Sequence, residues 1–210
     1  MNKETLQIKV CGMRDPQNLE QVCELVPEFV GFIFYEGSKR FVGKNPDPAL
    51  FILPVSGIKK VGVFVNEDPK QVRKSIELHE LDAVQLHGSE NADYCRILAV
   101  DGVQVIKVLD PYGPDPGFGD YAGVVDFFLF DSAGQGAGGT GEKFDWKVLE
   151  GKPDAAPYLL SGGIGPGDAE TLRLIHLPGM MGVDVNSRFE VAPGLKDVKA
   201  LKMFFNHIRK

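Results

Sequence analysis

Residues 59–86 read KKVGVFVNEDPKQVRKSIELHELDAVQL, and this stretch decides the architecture. The run 59–65 is rich in valine and ends apolar, as a strand buried on both faces should be. Asp68-Pro69 then offers a capping side chain followed by a residue whose backbone is preset for a first helical turn. Val72 and Ile76 recur at helical spacing, and 82–86 returns as a second apolar run. Strand, helix and strand in about 30 residues make a βαβ crossover, which requires the two strands to be parallel.

The same alternation continues in both directions. Further strand-like runs fall at 6–11, 29–34, 103–108, 124–131, 158–161 and 181–185, eight in all, with helical spacing at 16–25, 69–78, 90–100, 167–175 and 196–207. Between the fifth and sixth strands, Pro111-Tyr112-Gly113-Pro114-Asp115-Pro116-Gly117 leaves room for little beyond a short turn. Eight β-then-α units predict an α/β chain closed into a (β/α)8 barrel, with residues 1–210 forming one barrel domain near the lower size limit of that fold. No low-complexity linker divides it.

Composition narrows the function. Lys and Arg number 23 against 29 Asp and Glu, a net charge of −6, so no nucleic-acid partner is expected and an anionic ligand needs a local positive pocket. Cys11, Cys23 and Cys95 show no CxxC spacing, which suits a reducing compartment. The N-terminus lacks the apolar stretch of a signal peptide and no run approaches ~18 apolar residues, so a cytoplasmic protein without a membrane partner is expected. The four histidines lack metal-ligand spacing, and neither HExxH nor GxSxG occurs, so no metal is expected. Gly134, Gly136 and Gly139 spell GxGxxG, yet Pro153 soon follows and no long helix opens there, so the match is read as accidental.

In a barrel, chemistry is read from residues that end the strands. Ile8 and Val10 face the helices, which turns Lys9 and Cys11 into the barrel; Asp131 shares the inward face with Phe127 and Leu129. Cys11, followed by Gly12, sits at the mouth either as a reactive thiol or as a small buried hydrophobe. Asp131, beside an apolar run, is either a general acid with a raised pKa or an anchor for the loop it begins. Ser161-Gly162-Gly163-Ile164 ends the seventh strand, where barrels cradle phosphate with backbone N–H groups. Arg40, after strand two, and Arg188, in Asn186-Ser187-Arg188 after strand eight, can each hold a carboxylate or phosphate, or stand as solvated loop charges. Asp184 should meet Lys9 where strand eight closes on strand one, and Lys9 could also lower the Cys11 pKa. His87 reads as a loop-orienting donor rather than a ligand.

These residues resemble the phosphoribosylanthranilate isomerase family over nearly the whole chain. The resemblance rests on Ile8-Lys9-Val10-Cys11-Gly12-Met13, Gly31-Phe32-Ile33-Phe34-Tyr35 with Ser38-Lys39-Arg40-Phe41-Val42, and Val61-Gly62-Val63-Phe64-Val65-Asn66. It continues through Val84-Gln85-Leu86-His87-Gly88, Gly138-Gly139-Thr140-Gly141 with Phe144-Asp145-Trp146, Ser161 to Ile164, Gly182-Val183-Asp184-Val185 and Pro193-Gly194. It implies Cys11 as general base, Asp131 as general acid and Arg40 on the anthranilate carboxylate. Phosphate falls to Gly162, Gly163, Asn186, Ser187 and Arg188. Many relatives have Ser-Ser-Gly where this chain has Asn186-Ser187-Arg188, which points to a side-chain contribution from Arg188.

The implied reaction is an Amadori rearrangement in tryptophan biosynthesis, from a phosphorylated aminoaldose to an aminoketose, with no cofactor. Free Cys titrates near ~8.5 and free Asp near ~3.9, so the site is expected to depress the first and raise the second. The expected partner is the phosphosugar-anthranilate substrate, for a monomer or homodimer. Two alternatives stay open on residues alone: another phosphate-binding barrel such as indole-glycerol-phosphate synthase, which would call for a catalytic Lys, and a non-catalytic phosphometabolite-binding barrel.

Overall fold

The computed structural model describes residues 5–54, 57–99, 102–113, 118–121, 123–131, 143–150 and 157–210. Eight parallel strands follow one another around a closed ring: β1 (Gln7–Val10), β2 (Phe29–Ile33), β3 (Lys59–Phe64), β4 (Ala83–Leu86), β5 (Gln104–Leu109), β6 (Phe127–Phe130), β7 (Tyr158–Leu160) and β8 (Met180–Val185). The ring closes where β8 pairs with β1, Lys9 opposite Asp184. The (β/α)8 expectation holds, and every expected strand appears within a few residues of its bounds. No helix among the described residues is long and apolar enough to cross a membrane.

The helices start where their capping residues dictate. Asp15 accepts from the Asn18 amide at 2.8 Å ahead of α1 (Pro16–Cys23), and Asp68 from Lys70 at 2.7 Å ahead of α3 (Pro69–His79). α2 is a single turn (Ala49–Ile52) that the spacing did not predict. Asn91 caps α4 (Ala92–Leu98), so Glu90, expected as its first residue, stands outside it. α5 (Phe118–Tyr121) is the short turn that the proline-rich stretch allows. A 3₁₀ turn at Pro166–Asp168 precedes α6 (Ala169–Leu174), and Asp197 caps α7 (Val198–Ile208).

Strand parity divides the core in two. Phe29, Val61, Ala83, Ile106, Phe127, Leu129 and Leu159 plug the ring from inside, while Ile8, Val10, Val30, Val84, Val105 and Val183 face the helices. The inner plug is apolar, so the polar inward residues Lys9, Gln85 and Asp184 are set above it, toward the mouth.

One expected helix start is corrected. Spacing put the last helix at residue 196, but Lys196 ends a two-residue strand, β10 (Leu195–Lys196), antiparallel to β9 (Glu190–Ala192). The Lys196 ammonium is drawn to Glu190 and Asn186, each 2.7 Å away, so its backbone serves a hairpin rather than a helix. The glycine-rich stretch 134–141, including the GxGxxG match, lies outside the described residues.

Candidate active site

At the C-terminal ends of the strands lies a cleft open to solvent, lined by side chains from the strand ends and the loops that follow them. Cys11 reaches it from β1, Tyr35, Ser38 and Arg40 from the loop after β2, and Gln85 and His87 from β4 and its end. Asp131 follows β6, Ser161 to Ile164 follow β7, and Asp184, Asn186 and Ser187 come from β8 and its loop. Of the sequence-predicted residues, Cys11, Asp131, Arg40, Gly162, Gly163, Asn186 and Ser187 all line this one cleft.

The thiol corner follows from register. Lys9 and Asp184 are cross-strand partners, and inward parity brings Nζ to 2.9 Å from Oδ1 with both side chains buried. Cys11 shares the Lys9 face. Gly31 of β2 leaves room for both: a Cβ there would sit 2.8 Å from Cys11 Sγ and 3.3 Å from Lys9 Nζ. A glycine inside a strand often marks such a close approach, and this was the available signal for a position that sequence reasoning passed over.

Burial pulls Lys9 down, but Asp184 and Cys11 hold it above its ordinary value, so it stays charged. For Cys11 the expected depression is corrected. Burial pushes the thiol above 9.0 and outweighs the pull of Lys9, because a side chain 3% exposed loses nearly all hydration while the ammonium is shared with Asp184. Lys9 therefore both pairs with Asp184 and moderates the thiol.

On the facing wall, His87 Nε2 lies 3.6 Å from Asp131 Oδ2, and His87 Nδ1 lies 3.4 Å from Gln85 Nε2. Gln85 engages the Nδ1 side of the ring, which turns Nε2 toward Asp131. Burial, then Lys9 and Lys107, drop His87 to about 4, so it is neutral at physiological pH. The loop bearing His87 is tied from behind. Lys107 donates to the carbonyls of Leu86 (3.2 Å) and Gly88 (2.7 Å) and to Glu90 (2.8 Å), and Glu90 accepts from the amides of Asn66 and Gly88. The loop-orienting work expected of His87 falls instead to Lys107 and Glu90, and His87 Nε2 is buried with no hydrogen-bond partner among the described residues, facing Asp131.

Arg40 is 8% exposed and lines the cleft while giving Nε and Nη2 to Glu190 at 2.7–3.0 Å. Its aliphatic stem crosses Gly12, where φ is +78° and a Cβ would lie 2.7 Å from Arg40 Cδ. Glu190 and Lys196 escaped the sequence reading, although Glu190-Val191-Ala192-Pro193-Gly194-Leu195-Lys196, with its Pro-Gly turn, carries a hairpin signal.

Gly162 and Gly163 leave β7 with φ of +82° and +65°, conformations that cost glycine little. Asn186 and Ser187 open the 3₁₀ turn Ser187–Phe189 beside them. Arg188 is exposed and is not among the residues lining the cleft; its Cβ lies 3.5 Å from where a Cβ on Gly165 would stand. Chemically, the cleft joins a thiol, a carboxyl facing an imidazole, a guanidinium and a glycine loop.

Comparison with known proteins identifies a family. The family model for N-(5'phosphoribosyl)anthranilate (PRA) isomerase matches residues 8–207. Among curated relatives, the N-(5'-phosphoribosyl)anthranilate isomerase of Parabacteroides distasonis is 44% identical over 205 residues, covering 96% of this chain and 92% of that protein. The one from Phocaeicola vulgatus is 38% identical, covering 97% and 98%. Among solved structures, phosphoribosyl anthranilate isomerase from Thermotoga maritima superposes with a TM-score of 0.84 at 30% identity, covering 97% and 98%. A phosphoribosyl anthranilate isomerase in complex with reduced 1-(o-carboxyphenylamino)-1-deoxyribulose 5-phosphate matches with a TM-score of 0.81 at 28% identity, covering 97% and 98%.

Proposed function

The chain belongs to the N-(5'-phosphoribosyl)anthranilate isomerase family, and from that premise we propose how its cleft performs the reaction. The protein isomerises N-(5-phosphoribosyl)anthranilate to 1-(2-carboxyphenylamino)-1-deoxyribulose 5-phosphate, an Amadori rearrangement in tryptophan biosynthesis. Protons must leave and arrive at separate atoms of one sugar.

In this reading the phosphate sits in the loops after β7 and β8, against Gly162, Gly163, Asn186 and Ser187, with Arg188 at the rim. The anthranilate carboxylate goes to Arg40. Asp131 gives its proton to the furanose ring oxygen; the C1′–O bond breaks, and the nitrogen lone pair makes the Schiff base. Cys11, as thiolate, removes the C2′ proton, and the electrons move to nitrogen to leave an enolamine. Protonation of C1′ and loss of the C2′ hydroxyl proton give the ketone. His87 Nε2–H stabilises the carboxylate that Asp131 becomes, and Lys9 stabilises the thiolate.

One observation carries the assignment: Cys11 and Asp131, 120 positions apart in sequence and three strands apart around the ring, line one cleft. A turnover assay following the fluorescence of the anthranilate group tests it. Cys11→Ala and Asp131→Asn are each expected to cut turnover by at least about 10²-fold with the fold intact. Near-normal turnover in either variant removes the role given to that residue.

A further inference from the structure

The carboxylate of Glu190 lies behind the guanidinium of Arg40, at the edge of the cleft, and nothing in the chemistry above uses it. Its contacts are specific. Oε1 and Oε2 take Arg40 Nε at 2.9 and 3.0 Å and Oε2 takes Arg40 Nη2 at 2.7 Å, while Oε1 also accepts from Lys196 Nζ at 2.7 Å and the Gly194 amide at 3.1 Å. The Glu190 and Lys196 side chains are 4% and 0% exposed, so this is a built, desolvated cluster rather than a surface pair. Burial alone would raise the Glu190 carboxyl, but Arg40 and Lys196 hold it below its usual range.

A guanidinium offers a carboxylate two bidentate edges, one through Nε and a terminal nitrogen, the other through both terminal nitrogens. Glu190 occupies the first. The Gly12 contact fixes the stem, so the remaining edge has a set direction. The charges are also balanced for an anion: Arg40 and Lys196 against Glu190 leave one positive charge, and Lys196 keeps Glu190 from cancelling Arg40.

Resting on the assignment of Arg40 to the substrate carboxylate, we infer that Glu190, seated on Lys196, is the positioning residue that makes the site select an ortho-carboxylated arylamine. It acts through Arg40 by holding one guanidinium edge and presenting the other.

The test compares two substrates on the full-length protein: the glycosylamines formed by condensing ribose 5-phosphate with anthranilate and with aniline, which lacks the carboxylate. The readout is the ratio of their kcat/KM values, with kcat and KM separated. Arg40→Met should lower the ratio by tenfold or more, the scale of a lost charged hydrogen bond. Glu190→Gln should lower it by about tenfold, mainly by raising KM for the carboxylated substrate, and the double variant should fall no further than Arg40→Met. Glu190→Asp, which keeps the charge but withdraws it by one carbon, supplies the same comparison if Glu190→Gln does not fold. A ratio unchanged in both Glu190 variants while Arg40→Met lowers it overturns the inference, because a merely structural role depresses both substrates together. A ratio unchanged in Arg40→Met overturns the Arg40 assignment and the inference with it.

Discussion

Lys9 and Lys107 are buried lysines that each meet a buried carboxylate and a nearby cysteine, yet of these two trios only the first opens on the cleft. Lys9, Asp184 and Cys11 stand inside the ring; Lys107, Glu90 and Cys95 stand outside it, because Lys107 lies on the helix-facing side of β5 next to the inward Ile106. The outer ammonium has three oxygen acceptors within hydrogen-bond distance, and Glu90 takes two backbone amides. Lys9 is divided between Asp184 and the Cys11 thiol. Burial raises both thiols, Cys95 to about 11. The same three residue types therefore make a loop anchor or a corner of the cleft, depending on which way strand parity turns the lysine.

The widest gap between the trios should appear when each lysine is removed. Lys107→Met leaves the Glu90 charge buried without its ammonium and should cost about 3–5 kcal/mol of stability in urea denaturation, with turnover of the folded protein falling by less than about tenfold. Lys9→Met should destabilise comparably but lose more than about tenfold in turnover as well. Equal activity losses in the two variants would erase the contrast.

His87, held between the trios, gives the next effect. Its folded value of about 4 lies below the ordinary 6.5, so between those values the unfolded chain binds more protons than the folded one. Stability is full above pH 6.5 and falls as pH drops toward 4, by roughly 3 kcal/mol. Denaturation at pH 7.5 and pH 4.5 should show that loss, and His87→Gln should lack this share of it.

The smallest effect sharpens the comparison at the thiols. In the proposed mechanism the reacting form of the pair, with Asp131 protonated and Cys11 ionised, carries the same single proton as the form with the proton on sulfur. Their ratio does not change with pH until that proton leaves. Because Cys11 is raised, kcat/KM should stay flat through neutrality and decline only on the alkaline side of the ordinary thiol range. Cys95→Ala should leave that alkaline limb unmoved; a limb that shifts would place Cys95 in the chemistry.

Much of this was legible in the sequence because parity is a local property. Alternation fixed Lys9, Cys11 and Asp131 as inward, and ring closure alone paired Lys9 with Asp184. The Cys11 shift had the opposite sign because desolvation depends on everything packed around the sulfur, Gly31 included, and not on its one charged neighbour. Glu190 and Lys196 were missed for a related reason. Helical spacing reads residues against sequence neighbours, whereas Lys196 is committed to Asn186, Glu190 and, through its backbone, Asn18.

That last contact has a consequence for how the protein is made. Asn18 exchanges hydrogen bonds with the Lys196 backbone, and Lys9 pairs with Asp184, joining positions 178 and 175 residues apart. During synthesis the thiol corner leaves the ribosome well before the residues that complete it. Until position 196 has emerged, a nascent chain holds Cys11 without its completed surroundings, so the first strand gains its function only when the eighth strand and the hairpin after it are made.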